Sequence, residues 1–345
     1  MKKILMIAVF SLGIYSAKAQ DTVKVGTGVN NDAENAYNMG ITQLTNKDFA
    51  GALASFNTAI TAKPDFENAW YNRGTTKFEM KDISGAIDDF SKTIELNPRN
   101  DKAYFSRGQA NYAIKKKDPA FNDYNKAIDI NPNYAQAYYY RGGLKFEQEE
   151  YKAAILDFNK AVEIKPDYAY AYNDRGSSRL KLKDVDGAID DYKKATSVDA
   201  NLDFAWGNLG SALRKKGDSK GAISAYDNAL RIKNSFIYYN NRGSAKFDNG
   251  DFNGAVIDFD YSIKMKSDYA FAWSNKAGAK IQLKDYKGAV ADCDKALQLN
   301  SSFGDAYVNR GIAKEMLRDK SSCDDFSKAA QLGVEPGKKY AAGCN

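Results

Sequence analysis

The chain contains no histidine. That absence removes a histidine general base, a Ser-His-Asp triad and any imidazole metal site. Its three cysteines, Cys293, Cys323 and Cys344, form no CxxC cluster, which argues against a structural zinc site. No metal or cofactor is expected. There is little charge imbalance: 50 Lys and Arg stand against 44 Asp and Glu. Such a balance suits a nucleic-acid binder poorly, so no nucleic-acid partner is expected. No run is long and apolar enough to span a bilayer, so any membrane association is peripheral at most.

The first residues have an export pattern. Lys2 and Lys3 precede a mostly apolar run, Ile4 to Ser16, and Ala17-Lys18-Ala19 resembles a small-residue cleavage site. A signal peptide over residues 1–19 and an exported, periplasmic or secreted protein are expected. Cleavage would remove Lys2, Lys3 and Lys18, leaving 47 basic residues against 44 acidic ones. Residues 20–32 are polar and rich in Gly and Asn, and a disordered leader is expected there.

The rest of the chain repeats. Nine segments align at a 34-residue period: 33–66, 67–100, 101–134, 135–168, 169–202, 203–235, 236–269, 270–303 and 304–336. The sixth is one residue short. Position 4 of eight repeats is aromatic, as in Trp70, Tyr104 and Trp273. Position 8 is Gly in all but one, where it is Ala277. Position 20 is Ala except for Cys323 in the ninth repeat, and position 24 is Phe or Tyr through the seventh, then Cys293. Position 32 is Pro64, Pro98, Pro132 and Pro166 in the first four. The 4-8 and 20-24-27 spacings place residues on one helix face. Proline can end the second helix, because it lacks an N–H and constrains its neighbour. Each repeat therefore predicts two short antiparallel helices. Gly inside a helix costs about 1 kcal/mol against Ala, which makes sense where two helices approach closely.

This pattern of aromatic, Gly, Ala, aromatic and Pro resembles the tetratricopeptide repeat (TPR) over residues 33–336. One column departs from it. The Tyr usual at position 11 is replaced here by Lys77, Lys145, Arg179, Lys246, Lys280 and Lys314. The resemblance implies an all-α, right-handed superhelical solenoid with a concave groove lined by the first helices. One repeat cannot bury its apolar face alone, so neighbours must stack. A short capping helix is expected over 337–345.

Position 7 carries Arg73, Arg107, Arg141, Arg175, Arg242, Lys276 and Arg310. Position 23 carries Asp89, Asp123, Asp157, Asp191, Asp258 and Asp292, with Asp325 one residue out of register in the ninth repeat. The first and sixth repeats lack both the cation and the acid. This co-variation predicts an ion pair between the two helices of one repeat: Arg73–Asp89, Arg107–Asp123, Arg141–Asp157, Arg175–Asp191, Arg242–Asp258 and Lys276–Asp292. Ligand binding by the arginines is the competing reading.

Position 6 gives Asn38, Asn72, Asn208, Asn241, Asn275 and Asn309. In similar TPR proteins an Asn here faces the groove and bonds an extended peptide, since an amide both donates and accepts. The alternative is that these amides satisfy nearby backbone groups or water. Tyr37, Tyr71, Phe105 and Tyr139 at position 5, with Tyr170, Phe204 and Phe271 at position 2, are expected as exposed groove aromatics. They could instead pack between adjacent first helices. Export would permit a Cys323–Cys344 disulfide pinning the C-terminal end. Cys293 stands in the aromatic column and reads as a small buried hydrophobe. The expected function is a non-catalytic scaffold binding a protein or extended peptide in its groove. A glycan- or peptidoglycan-binding module is the alternative, and an enzyme accessory subunit a weaker one.

Overall fold

The computed structural model describes residues 31–344. Nineteen α-helices and no strands occur among the described residues. The expected signal peptide, 1–19, lies outside them, as do residues 20–30 of the expected leader. Asn31 and Asp32, assigned to that leader, instead open the first helix, where Asp32 complements the helix dipole.

Eighteen helices pair in chain order as the first and second helices of nine repeats. They are α1 (Asn31–Thr45) with α2 (Phe49–Ala62), α3 (Glu67–Glu79) with α4 (Ile83–Leu96), α5 (Asp101–Ala113) with α6 (Lys117–Ile130), and α7 (Ala135–Glu147) with α8 (Tyr151–Ile164). Then follow α9 (Ala169–Lys181) and α10 (Val185–Val198), α11 (Asp203–Lys216) and α12 (Ser219–Ile232), and α13 (Phe236–Asp248) and α14 (Phe252–Met265). The last pairs are α15 (Ala270–Gln282) with α16 (Tyr286–Leu299) and α17 (Gly304–Met316) with α18 (Ser322–Gln331). A final helix, α19 (Glu335–Ala341), begins ahead of the expected cap. Its Pro336 sits in the first turn, where the missing N–H costs nothing.

The described chain divides into two compact units, an N-terminal one ending at Ser178 and a C-terminal one starting at Arg179. Each is an all-α repeat solenoid in which a helix packs on its neighbours in sequence. The core of each is built from the columns seen in the sequence. Ala52, Ala86, Ala120 and Ala154 are fully buried in the N-terminal unit, beside the rings of Phe56, Phe90, Tyr124 and Phe158. Ala222 and Ala255 with Tyr226 and Phe259 do the same in the C-terminal unit. Each such ring contributes about 1.5–3 kcal/mol of burial.

The position-8 glycines face these rings. A Cβ on Gly74 would stand 2.9 Å from Phe90, on Gly142 2.9 Å from Phe158, and on Gly243 2.8 Å from Phe259. Repeat eight makes the same point in reverse. There the glycine is Ala277 and the ring is Cys293, and both side chains are fully buried in one cluster.

The turn inside each repeat is also fixed. Its left-handed residue is Lys47, Lys81, Lys115, Glu149, Lys183, Gly217, Gly250, Lys284 or Arg318. An aspartate follows in most repeats and caps the second helix. Asp82 accepts from the N–H of Gly85 at 3.0 Å, and Asp251 from that of Gly254 at 2.9 Å. A Cβ on either glycine would fall within 2.2 Å of the aspartate oxygen. Where Lys116 or Glu150 replaces the cap, Pro119 or Ala153 replaces the glycine. Proline does not set the helix length. Helices α10, α12, α14 and α16 end at the same repeat position without it.

Candidate functional site

The repeated arginines are engaged within the fold. Arg73 donates to both carboxylate oxygens of Asp89 at 2.8 and 2.7 Å, and Arg141 to both of Asp157 at 2.9 and 2.6 Å. Arg107–Asp123, Arg242–Asp258 and Arg310–Asp325 repeat the fork. Lys276 reaches Asp292 at 3.4 Å as a point charge. Each cation also lies over the aromatic ring of position 4, as Arg73 does over Trp70 at 4.5 Å. Each reaches back to the preceding second helix, as in Arg73 to Asn57, Arg141 to Asn125 and Arg242 to Asp227. Arg175 donates to Asn159 in this way at 2.8 Å.

A second cation completes the cluster. Lys77, Lys145, Lys246, Lys280 and Lys314 contact the same aspartates at 2.7–2.9 Å, and Arg179 reaches Asp191 at 2.8 Å. The odd column at position 11 was the signal for this contact, and sequence reasoning left it unused. It is complementary even where position 11 carries no charge. Gln43 accepts from Ser55 in repeat one, Asn111 donates to Asp123 in repeat three, and Leu213 and Ala225 are both buried in repeat six.

The expected position-5 groove aromatics of the N-terminal unit are core residues. Tyr37, Tyr71, Phe105 and Tyr139 are at most 5% exposed. Each packs on the position-24 ring of its own repeat, with centroids 5.7–5.9 Å apart. Three of them also meet the aromatic at position 34, Phe66, Tyr134 or Tyr168, at 4.9 Å. Their hydroxyls bond position 6 of the following repeat. Tyr37 accepts from Asn72 at 2.9 Å, Tyr71 pairs with Ser106 at 3.1 Å, and Tyr139 donates to Asp174 at 2.8 Å. Phe105 has no hydroxyl, and its following residue is Tyr140, which meets it edge-on at 5.4 Å. Asn72, fully buried, is therefore a packing residue and not a groove ligand. Asn208 is also buried. Asn38 is half-buried, as are Tyr170 and Phe204. The physical reason is local: a ring at position 5 has a ready slot between positions 24 and 34, and burial outweighs exposure there.

The C-terminal unit lacks those rings. Its position 5 is Gly207, Asn240, Ser274 and Val308. Tyr238 fills the space beside Gly207, where an added Cβ would lie 2.6 Å from its ring. Beside Asn240 and Ser274 a cleft opens, with a cavity of 360 Å³ between α11, α13, α15 and α17. Asn241, Asn275 and Asn309 line it and are half-buried. Asn275 donates to the Asn240 side-chain oxygen at 2.9 Å, and Asn309 donates to the Ser274 carbonyl at 3.1 Å. The Oδ1 atoms of Asn275 and Asn309 accept no hydrogen bond among the described residues. Phe271, the one position-2 aromatic found in the cleft, packs on Phe303 at 4.8 Å and Tyr269 at 5.6 Å. Arg214 is paired with Asp248 at 2.6 Å. Pro336 of α19 bounds one end.

Cys323 and Cys344 are joined as a disulfide with Cα atoms 5.7 Å apart. Cys293 is buried, and burial pushes its thiol pKa well up. Among the described residues no group of three His, Cys, Asp or Glu could hold a metal ion, and no helix is long and apolar enough to cross a membrane.

Models of the tetratricopeptide repeat match residues 67–100, 101–134, 173–235 and 272–303, and a TPR repeat model matches 142–183. No curated protein matches the sequence. Among solved structures, pilF of Pseudomonas aeruginosa is similar over 61% of this chain and 97% of its own, at 16% identity and a TM-score of 0.55. A tetratricopeptide repeat protein from Parabacteroides merdae ATCC 43184 is similar over 73% of this chain and 99% of its own, at 17% identity and a TM-score of 0.52. Both likenesses concern the fold alone. The MamA protein is 26% identical over 50% of this chain and 94% of its own, with a TM-score of 0.46.

Proposed function

This chain belongs to the tetratricopeptide repeat family, and on that premise we propose that it is a non-catalytic scaffold holding an extended protein segment in the cleft of its C-terminal unit. One observation carries the reading. Asn241, Asn275 and Asn309 stand at equivalent positions of successive repeats in one cleft, and the latter two present unused amide oxygens. An amide pairs with a peptide bond whatever side chain that bond carries. Rows of such groups therefore suit a main chain passing across the first helices. The half-buried aromatics beside them offer apolar area for the segment's side chains. Supporting a non-catalytic role are the family and the absence of histidine.

We place the protein outside the cytoplasm. The pattern of residues 1–19 supports this, as does a disulfide in a chain with only three cysteines.

Selection of a randomised peptide library on the full chain tests the reading. The bound peptides are expected to lose at least tenfold in affinity when Asn275 and Asn309 are changed to Ala together. Peptides that bind those variants unchanged, or a library that yields no binder, would refute it.

A further inference from the structure

At the cleft the repeats depart from the pattern of the N-terminal unit, and the difference has a shape. In the N-terminal unit three contacts define one slot. Tyr37 and Tyr139 each lie 5.9 Å from the position-24 ring and 4.9 Å from the position-34 ring, and their hydroxyls meet position 6 of the next repeat at 2.8–2.9 Å. In repeat seven all the walls of that slot are present. Phe259 is the position-24 ring, Tyr269 the position-34 ring, and Asn275 the position-6 residue of the next repeat. Only the occupant is missing, because position 5 is the short Asn240.

Resting on the peptide reading above, we propose that this slot takes an aromatic side chain of the bound segment, with tyrosine preferred. The ring would lie between Phe259 and Tyr269, as Tyr139 lies between Phe158 and Tyr168. The tyrosine hydroxyl would donate to Asn275 Oδ1, which accepts no hydrogen bond among the described residues. Tyr139 does the same to Asp174 Oδ2. The charge of the cleft fits a neutral occupant. Arg214 and Lys215 are balanced by Asp248 and Asp305 among its lining residues, so no net charge calls for a charged side chain. The cavity of 360 Å³ is at the small end of ligand clefts, about 300–1,000 Å³, which is the scale of anchoring side chains.

The test uses acetylated Gly-Ser-X-Ser-Gly peptides, with X each of the ordinary amino acids, titrated against the full chain. Affinity is expected to rank Tyr above Phe, and both at least tenfold above Leu, Lys and Glu. Asn275→Ala is expected to weaken both peptides and to abolish the preference of Tyr over Phe, because the Tyr peptide loses the hydroxyl partner as well. Asn240→Tyr fills the slot with the residue that repeats one, two and four already carry. It should raise Tm and weaken the Tyr peptide at least tenfold. Equal binding of all peptides would overturn the aromatic anchor and leave peptide binding standing. Unchanged Tyr binding by Asn240→Tyr would overturn it as well. No binding by any of the peptides would overturn the anchor, while the library selection separately decides the peptide reading.

Discussion

At the residue scale, buried charge is used for packing. Asp157 is 3% exposed yet meets Arg141 and Lys145, and Arg141 also bonds Asn125 and stacks on Tyr138. Removing Arg141 leaves Asp157 paired with Lys145 but takes charge-assisted hydrogen bonds from a buried carboxylate, which costs about 1.5–3 kcal/mol. Arg141→Ala is expected to lose stability on that scale. A double-mutant cycle with Asp157→Asn should show a coupling of about 1–3 kcal/mol by denaturant unfolding. Additive effects would remove the pair from the account. Asp174 behaves differently. Burial raises its pKa from 3.8 to about 6, against the lowering effect of bonds from Tyr139 and Asn173. The folded chain thus holds this proton more tightly than the unfolded chain. Its contribution to stability rises as pH falls from about 6 toward 4 and is lost above that window. The span is a few kcal/mol at most, at about 1.4 kcal/mol per pKa unit. Asp174→Asn should keep the acceptor for Tyr139, flatten that slope, and be the more stable protein at pH 7.

At the element scale, each helix pair is set by matched choices. The position-8 residue and the position-24 residue share one space, and repeat eight solves it with Ala277 and Cys293 instead of a glycine and a ring. Cys293→Phe alone is therefore expected to overpack and cost about 1–3 kcal/mol, and Ala277→Gly should recover most of the loss in thermal unfolding. Period, helix pairing and the Arg–Asp contacts were legible in the sequence, because they recur along the repeats and because the gaps in the Arg and Asp columns coincide. The fate of the position-5 rings was not. Nothing in the spacing says whether Tyr71 lies against solvent or against Phe90, since that depends on the position-34 residue and on position 6 of the next repeat. The cleft was hidden for the same reason. It arises where Asn240 and Ser274 replace a ring, which the sequence shows only as a broken column.

At the scale of the molecule, a repeat solenoid is stabilised by neighbour contacts, so its ends need covering. Helix α19 covers the last repeat. Tyr340 stacks on Phe326 at 4.8 Å, Gly337 lies against Ala329, and the Cys323–Cys344 bond closes the segment over 21 residues. Closing a loop of this size is worth about 3 kcal/mol through the unfolded chain. Reduction is expected to lower Tm and to speed hydrogen exchange in α18 and α19 before the rest of the chain. The central claim is that the open cleft, and not the filled N-terminal slots, receives the partner. Amide hydrogen exchange of the full chain, with and without a peptide selected from the randomised library, tests it most directly. Slowed exchange in α13, α15 and α17, with α3, α5 and α7 unchanged, is the result expected. Protection confined to the second helices, or to the N-terminal unit, would contradict it.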